Sequence, residues 1–199
     1  MAKSGKLGLT YKRAAEYFFE KSTEDDYWEV IDGELIMHTP VAIIHQKFAL
    51  FLLNILTYYI RSKGLGELYY NPAVVRLDED NLFEPDIFFV SQENLFRIKE
   101  QYLDGAPDLI IEILSPSTAE YDKGWKFKKY EAFHVKELWL LDPSEKQWEF
   151  YSNAGKRFQR IEIAGDEFKS SIWEGFFLMM AWLDNFDKED PFEIARRLI

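Results

Sequence analysis

Between Ile43 and Ser62 the apolar positions recur at helical spacing. Ile44, Phe48, Phe51, Leu52, Ile55 and Tyr59 fall along one stripe, which predicts a helix with one face on a core. Gly64 and Gly66 stop it. Upstream, Tyr27-Trp-Glu-Val-Ile and Glu34-Leu-Ile-Met flank Asp32-Gly33. This is a hairpin pattern, because Asp-Gly suits the primed turns that match strand twist. Downstream, Glu67 to Tyr70, Ala73 to Leu77 and Asp86 to Val90 read as strands, with Asp78 to Asn81 as a polar turn. Leu109-Ile-Ile-Glu-Ile-Leu is apolar at every position but one, the signature of a central strand covered on both faces.

A helix follows that strand to about Phe133, opened by Ser117 with Glu120 placed for a capping box. Leu138 to Leu141 is the next buried strand. Strand, helix, strand implies a right-handed crossover between parallel neighbours. Asp142-Pro143 turns the chain into Gln147 to Tyr151, with which Arg157 to Ile163 should pair. Tyr11 to Lys21 reads as a short helix with Thr10 as its cap, and Pro191 to Leu198 as a closing helix. The expected class is α/β (α+β), a central mixed β-sheet flanked by helices. One domain is expected over residues 1–199, with a core from about 27 to 163 and both terminal segments packed on it. The tail holding Trp173, Phe176, Phe177, Met179, Met180 and Trp182 is too apolar for a surface. It covers the sheet of its own chain or forms a homodimer contact.

Composition narrows the chemistry. There is no cysteine, which excludes disulfides, thiolate nucleophiles and thiolate metal sites. A metal must then be held by carboxylates, His or carbonyls, which points to Mg²⁺ or Mn²⁺. A lack of disulfides fits the cytoplasm. The apolar run Phe48 to Ile60 is broken by Asn54 and Thr57 and reads as too short to span a membrane. Met1 to Thr10 has no apolar segment of the signal-peptide kind. The net charge of −11 argues against extended DNA binding, because neutralising phosphates takes Lys and Arg. An empty carboxylate site, however, changes sign locally as it loads cations.

Two carboxylates carry the chemical signal. Asp86 follows Pro85 at the head of a strand, and Glu112 sits between Ile111 and Ile113. A carboxylate at such a position is paired, hydrogen-bonded or bound to a cation, or else a bulge turns it to solvent. On the helix after Glu112, Asp122, Lys126 and Tyr130 recur every four residues and share a face. That face is either a solvated ion-pair surface or one that presents Lys126 to the end of the Glu112 strand.

The ordered set Asp32-Gly33-Glu34-Leu35, His45-Gln46, Glu84-Pro85-Asp86-Ile87, Pro107-Asp108 through Glu112 to Ser115-Pro116-Ser117-Thr118, then Asp122, Lys126, Tyr130 and Glu137 through Trp139 to Asp142-Pro143 resembles the Uma-type family, described as putative restriction endonucleases. Its fold is of the PD-(D/E)xK nuclease superfamily. The resemblance implies a metal-dependent endonuclease acting on DNA. It implies Asp86, Glu112 and Glu34 as metal ligands and Lys126 as the catalytic lysine. It also implies His45 at the head of the long helix as a catalytic candidate, and Asp122, Tyr130 and Ser115 in support. The superfamily lysine belongs two residues after the acid, where this chain has Leu114. Lys126 is then the displaced candidate. Other readings are a non-cutting module that binds nucleic acid or protein in the same cleft, a hydrolase of small phosphoesters, and a structural assembly protein.

Overall fold

The computed structural model describes residues 18–19, 28–37, 42–115, 121–155 and 157–199. Phe18 and Phe19 are helical. The rest of the helix predicted over 11–21, its Thr10 cap and the Ser117–Glu120 capping box lie outside the described residues. The hairpin forms as its turn chemistry dictates. β1 (Trp28–Ile31) pairs antiparallel with β2 (Glu34–Met37). Asp32 and Gly33 both take positive φ, 49° and 75°, the requirement of a type I′ turn.

The central sheet has six strands. In chain order they are β3 (Gly66–Tyr70), β6 (Ile87–Ser91), β8 (Leu109–Ile113), β9 (Glu137–Asp142), β10 (Gln147–Asn153) and β11 (Phe158–Arg160). In space they run β11-β10-β9-β8-β6-β3. β8 and β9 are parallel, as the strand–helix–strand pattern requires, and the other neighbours are antiparallel. A second sheet, β2-β1-β5-β4-β7, joins the hairpin to β4 (Val74–Arg76), β5 (Leu82–Phe83) and β7 (Tyr102–Asp104). Sequence pattern places Ala73 to Leu77 in a strand but not in a separate sheet. β5 and β7 have two and three residues, too few to show a period.

The sheet buries both faces, and β8 shows why its sequence is so apolar. Leu109, Ile111 and Ile113 pack with Phe48, Leu52, Ile55 and Tyr59 of α1 (Ile43–Lys63), while Ile110 and Leu114 join the opposite core with Tyr130. Strand alternation puts Glu112 on that second face. α1 ends at Gly64, in the left-handed region with φ 61°. Its 21 residues make it longer than its apolar run suggests, long and apolar enough by composition to cross a bilayer. One stripe of it instead covers the sheet. Ile44, expected on that stripe, is exposed. The aromatic tail resolves likewise: Trp173 and Phe176 are buried against Trp139 of their own sheet. Its β12 (Glu167–Lys169), β13 (Phe177–Met179) and α3 (Met180–Asp184) were not apparent in the pattern. α4 (Pro191–Arg197) closes the chain, with Asp190 accepting from the Phe192 amide at 2.8 Å.

Asp108, at the entry to β8, ties the sheet to the 3₁₀ turn Gln92–Arg97. It accepts from the Ser91 amide at 2.8 Å and from Asn94, and pairs with Lys136 at 2.7 Å. Burial opposes its charge, but Lys136 and these donors hold its pKa below the usual carboxylate range. A depressed carboxylate pKa contributes stability that is present above the ordinary value and lost as pH falls through the folded one. Asp108→Asn should therefore cost about 1–3 kcal/mol at pH 7. Urea midpoints of variant and parent should converge as the pH drops below 4.

Candidate active site

At the carboxyl end of β8 the strands bring the two sequence candidates together. Ile87 and Ile111 are partners across β6 and β8, so Asp86 and Glu112 lie opposite each other one step further along. Asp86 is fixed by the Ile113 amide, which donates to Oδ2 at 2.7 Å. His45, in the first turn of α1, places Nε2 3.1 Å from the same oxygen. His45 is buried, and among the described residues its Nδ1 has no hydrogen-bond partner. Glu112 is engaged through one oxygen only. Oε1 accepts from Tyr130 Oη at 2.6 Å and from Lys126 Nζ at 3.1 Å. Among the described residues, Asp86 Oδ1 and Glu112 Oε2 take no hydrogen bond.

Lys126 lies at the centre. Its buried ammonium stands 2.9 Å from Glu29, 3.1 Å from Glu112 and 3.5 Å from Asp122. The helix explains its reach. Asp122–Lys126 forms a π-helical turn that runs into the α-helix Phe127–Ala132, here α2. Asp122, Lys126 and Tyr130 are buried toward the site, so their face is not a solvated one. The sequence predicted a plain α-helix here. π-turns are often found at functional sites.

The electrostatics follow from three carboxylates sharing one buried cation. Burial pushes the Glu112 carboxyl well above its usual range. Lys126 pulls it down, and Asp122, Asp86 and Glu29 push it further up. Burial alone would lower the Lys126 pKa. Glu112 and Glu29, with Tyr130 and Asp122, instead hold it well above the ordinary lysine value. Burial and the Glu112 charge likewise raise the Tyr130 phenol, so it serves as a proton donor to Glu112 rather than as a base.

One predicted member is elsewhere and one member was missed. Glu34, on β2, is exposed and does not line the cavity that holds Asp86, Glu112 and Lys126. Its position beside the hairpin turn carries it away from the strand ends. Glu29 on β1 occupies the position instead. It is buried, accepts from the Glu84 amide at 2.9 Å and pairs with Lys126. The sequence holds a partial signal, since Glu29 stands beside Val30 as Glu112 stands beside Ile111, but it does not choose Glu29 over Glu34. Ser115 lines the cavity.

Every donor here is oxygen or imidazole, the choice of hard cations such as Mg²⁺ and Mn²⁺. Among the described residues no group of three His, Asp or Glu side chains is placed to hold a metal ion. The two oxygens without hydrogen bonds, on carboxylates opposite one another in register, fit an ion that keeps water and phosphate in the rest of its shell.

Comparisons with known proteins bear on the family and the fold. The model of a family described as "Uma2: Putative restriction endonuclease" matches residues 14–181. An uncharacterized protein of Synechocystis, sll1609, is 27% identical over 145 residues, covering 72% of this chain and 82% of its own. The fold is similar to a crystal structure described as a putative nuclease belonging to DUF820 from Anabaena variabilis. The TM-score is 0.71 at 16% identity, covering 86% of this chain and 97% of that one.

Proposed function

The chain belongs to the Uma2 family, and from that premise we propose that it is a metal-dependent endonuclease that hydrolyses phosphodiester bonds of DNA. The observation that carries this reading is Glu112, a carboxylate buried in the central strand, opposite Asp86 and in contact with a buried lysine. Asp86 and Glu112 would hold Mg²⁺ or Mn²⁺. When bound, such an ion lowers the pKa of water and neutralises phosphate oxygens.

The chain's own groups do the rest. The Ile113 amide and His45 lock Asp86 in one rotamer. Tyr130 and Lys126 fix Oε1 of Glu112, which directs Oε2 at the cavity. Lys126, pressed by three carboxylates, keeps its proton and can donate a hydrogen bond to the attacking water or to the charge developing on phosphate. Glu29 and Asp122 hold Lys126 in place. The apolar core beneath the site keeps these interactions in a low-dielectric setting. The site is proposed to work in the cytoplasm, on DNA.

One observation favours a second reading, a non-cutting module that binds nucleic acid or protein. Lys126 is already satisfied by its carboxylates, which also suits a purely structural ion cluster. Calorimetric titration separates the two. The nuclease reading predicts Mn²⁺ binding by the parent chain and loss of at least about tenfold in affinity in Asp86→Ala, the low end of what disturbing a metal site costs. No Mn²⁺ binding by the parent chain would sink it.

A further inference from the structure

A groove of about 1880 Å³ opens from Asp86 and Glu112 and runs between the outer face of α1 and the edge strand β3. Building on the nuclease reading, we infer that this groove binds an unpaired nucleic-acid strand, whose bases stack on Tyr58 and Tyr70, in preference to a duplex.

The groove carries carboxylates, Glu29, Glu67, Glu84, Asp86, Glu112 and Asp122, on the sheet side and on the helix after β8, and cations without acids on its α1 wall. The chain has 35 acidic residues, yet none lies between Ile43 and Lys63. Lys47 and Arg61 line the groove from α1, and neither is in an ion pair among the described residues. An acid-free helical wall in a molecule of net charge −11 is complementary to phosphate, and it leads into the candidate site.

The number of cations and the exposed rings identify the form of the nucleic acid. Duplex binders commonly engage about 6–10 phosphates. Here two unpaired cations face the groove, Lys126 is enclosed by carboxylates, and the facing wall carries Glu67. Affinity must come largely from elsewhere. Tyr58 is 43% exposed and Tyr70 62% exposed, and among the described residues neither phenol makes a hydrogen bond. They rise from opposite walls of the groove. Tyr70 is paired in register with Ile87, the residue after Asp86, so it stands at the reactive end. Tyr58 lies thirteen residues along α1 from His45, about 20 Å at helical rise. Rings so placed stack two bases separated along one strand, worth about 1–3 kcal/mol each. A duplex keeps its base faces covered and gains nothing from them.

The test is fluorescence anisotropy of the full chain in Ca²⁺, with a labelled single-stranded DNA, the RNA of the same sequence, and that DNA as duplex. The DNA and RNA arms separate the two sources of unpaired bases. Single-stranded oligonucleotide should bind at least about tenfold tighter than duplex. Its affinity should fall only about sevenfold from 50 to 200 mM salt, the slope for about two phosphates on a single strand. Tyr58→Ala and Tyr70→Ala should each weaken binding about tenfold, and Phe96→Ala, an exposed ring outside the groove, should not. Duplex bound as tightly as single strand, or tyrosine variants that bind like the parent, would overturn the inference. So would self-association through this face in sedimentation, with no oligonucleotide bound. Parallel cleavage assays keep the two claims apart. Stacking-dependent binding without cutting of any strand overturns the nuclease reading alone. Single-strand cutting untouched by Tyr58→Ala and Tyr70→Ala overturns this inference alone.

Discussion

Lys126→Met should lower the stability of the fold by about 3–5 kcal/mol, the usual result of breaking a buried ion cluster by removing one partner. The methionine fills similar volume, so packing loss is minor and the effect is electrostatic. Glu29, Glu112 and Asp122 stand within 3.5 Å of the ammonium, and without it three buried carboxylates repel one another. The same variant should respond to divalent cation more than the parent does. An ion that enters only the folded state stabilises it by mass action, about 2.7 kcal/mol at 100 times its dissociation constant. Thermal midpoints with and without Mn²⁺ measure both effects. Near-parental stability would show that the carboxylates are not as tightly gathered as described.

Glu112→Gln should separate activity from stability. The substitution keeps shape and keeps an acceptor for Tyr130, while Lys126 retains Glu29 and Asp122. It also removes the carboxyl that burial most opposes. The fold should therefore hold within about 1 kcal/mol, since surrendering a buried charge costs little when its neighbour stays paired. Cleavage should fall by about 10²–10³-fold, which corresponds to the loss of several kcal/mol of metal-mediated charge stabilisation in the transition state. Midpoint denaturation and initial rates on the same preparation test the split. Equal losses in both, or in neither, would contradict the assignment of Glu112 as a ligand rather than a structural acid.

Much of this is legible in the sequence. α1, the hairpin, the parallel pair β8 and β9 and the buried glutamate follow from period, turn chemistry and the apolar run around Glu112. These are local signals, or a contradiction between charge and surroundings that only a site resolves. The second sheet was not legible, because β5 and β7 are too short to show alternation. Nor was the choice between Glu29 and Glu34. The two residues sit on paired strands five positions apart, and only the course of the hairpin across the sheet end decides which one reaches Lys126. The π-turn at Asp122–Lys126 escaped for a related reason. Four-residue spacing fits an α-helix, and the wider turn appears only once the side chains converge on Glu112.

The central claim is that Asp86 and Glu112 form a metal-dependent phosphodiesterase site. It is tested most directly by incubating supercoiled plasmid with the parent chain, Asp86→Ala and Glu112→Ala, each in Mg²⁺, in Mn²⁺ and in chelator. Both variants should be folded by circular dichroism. The predicted result is nicking by the parent chain only when a divalent ion is present, reduced at least about 100-fold in each variant, as expected when a metal ligand is lost. No cutting by the parent chain, or equal cutting by all three proteins, would contradict the account.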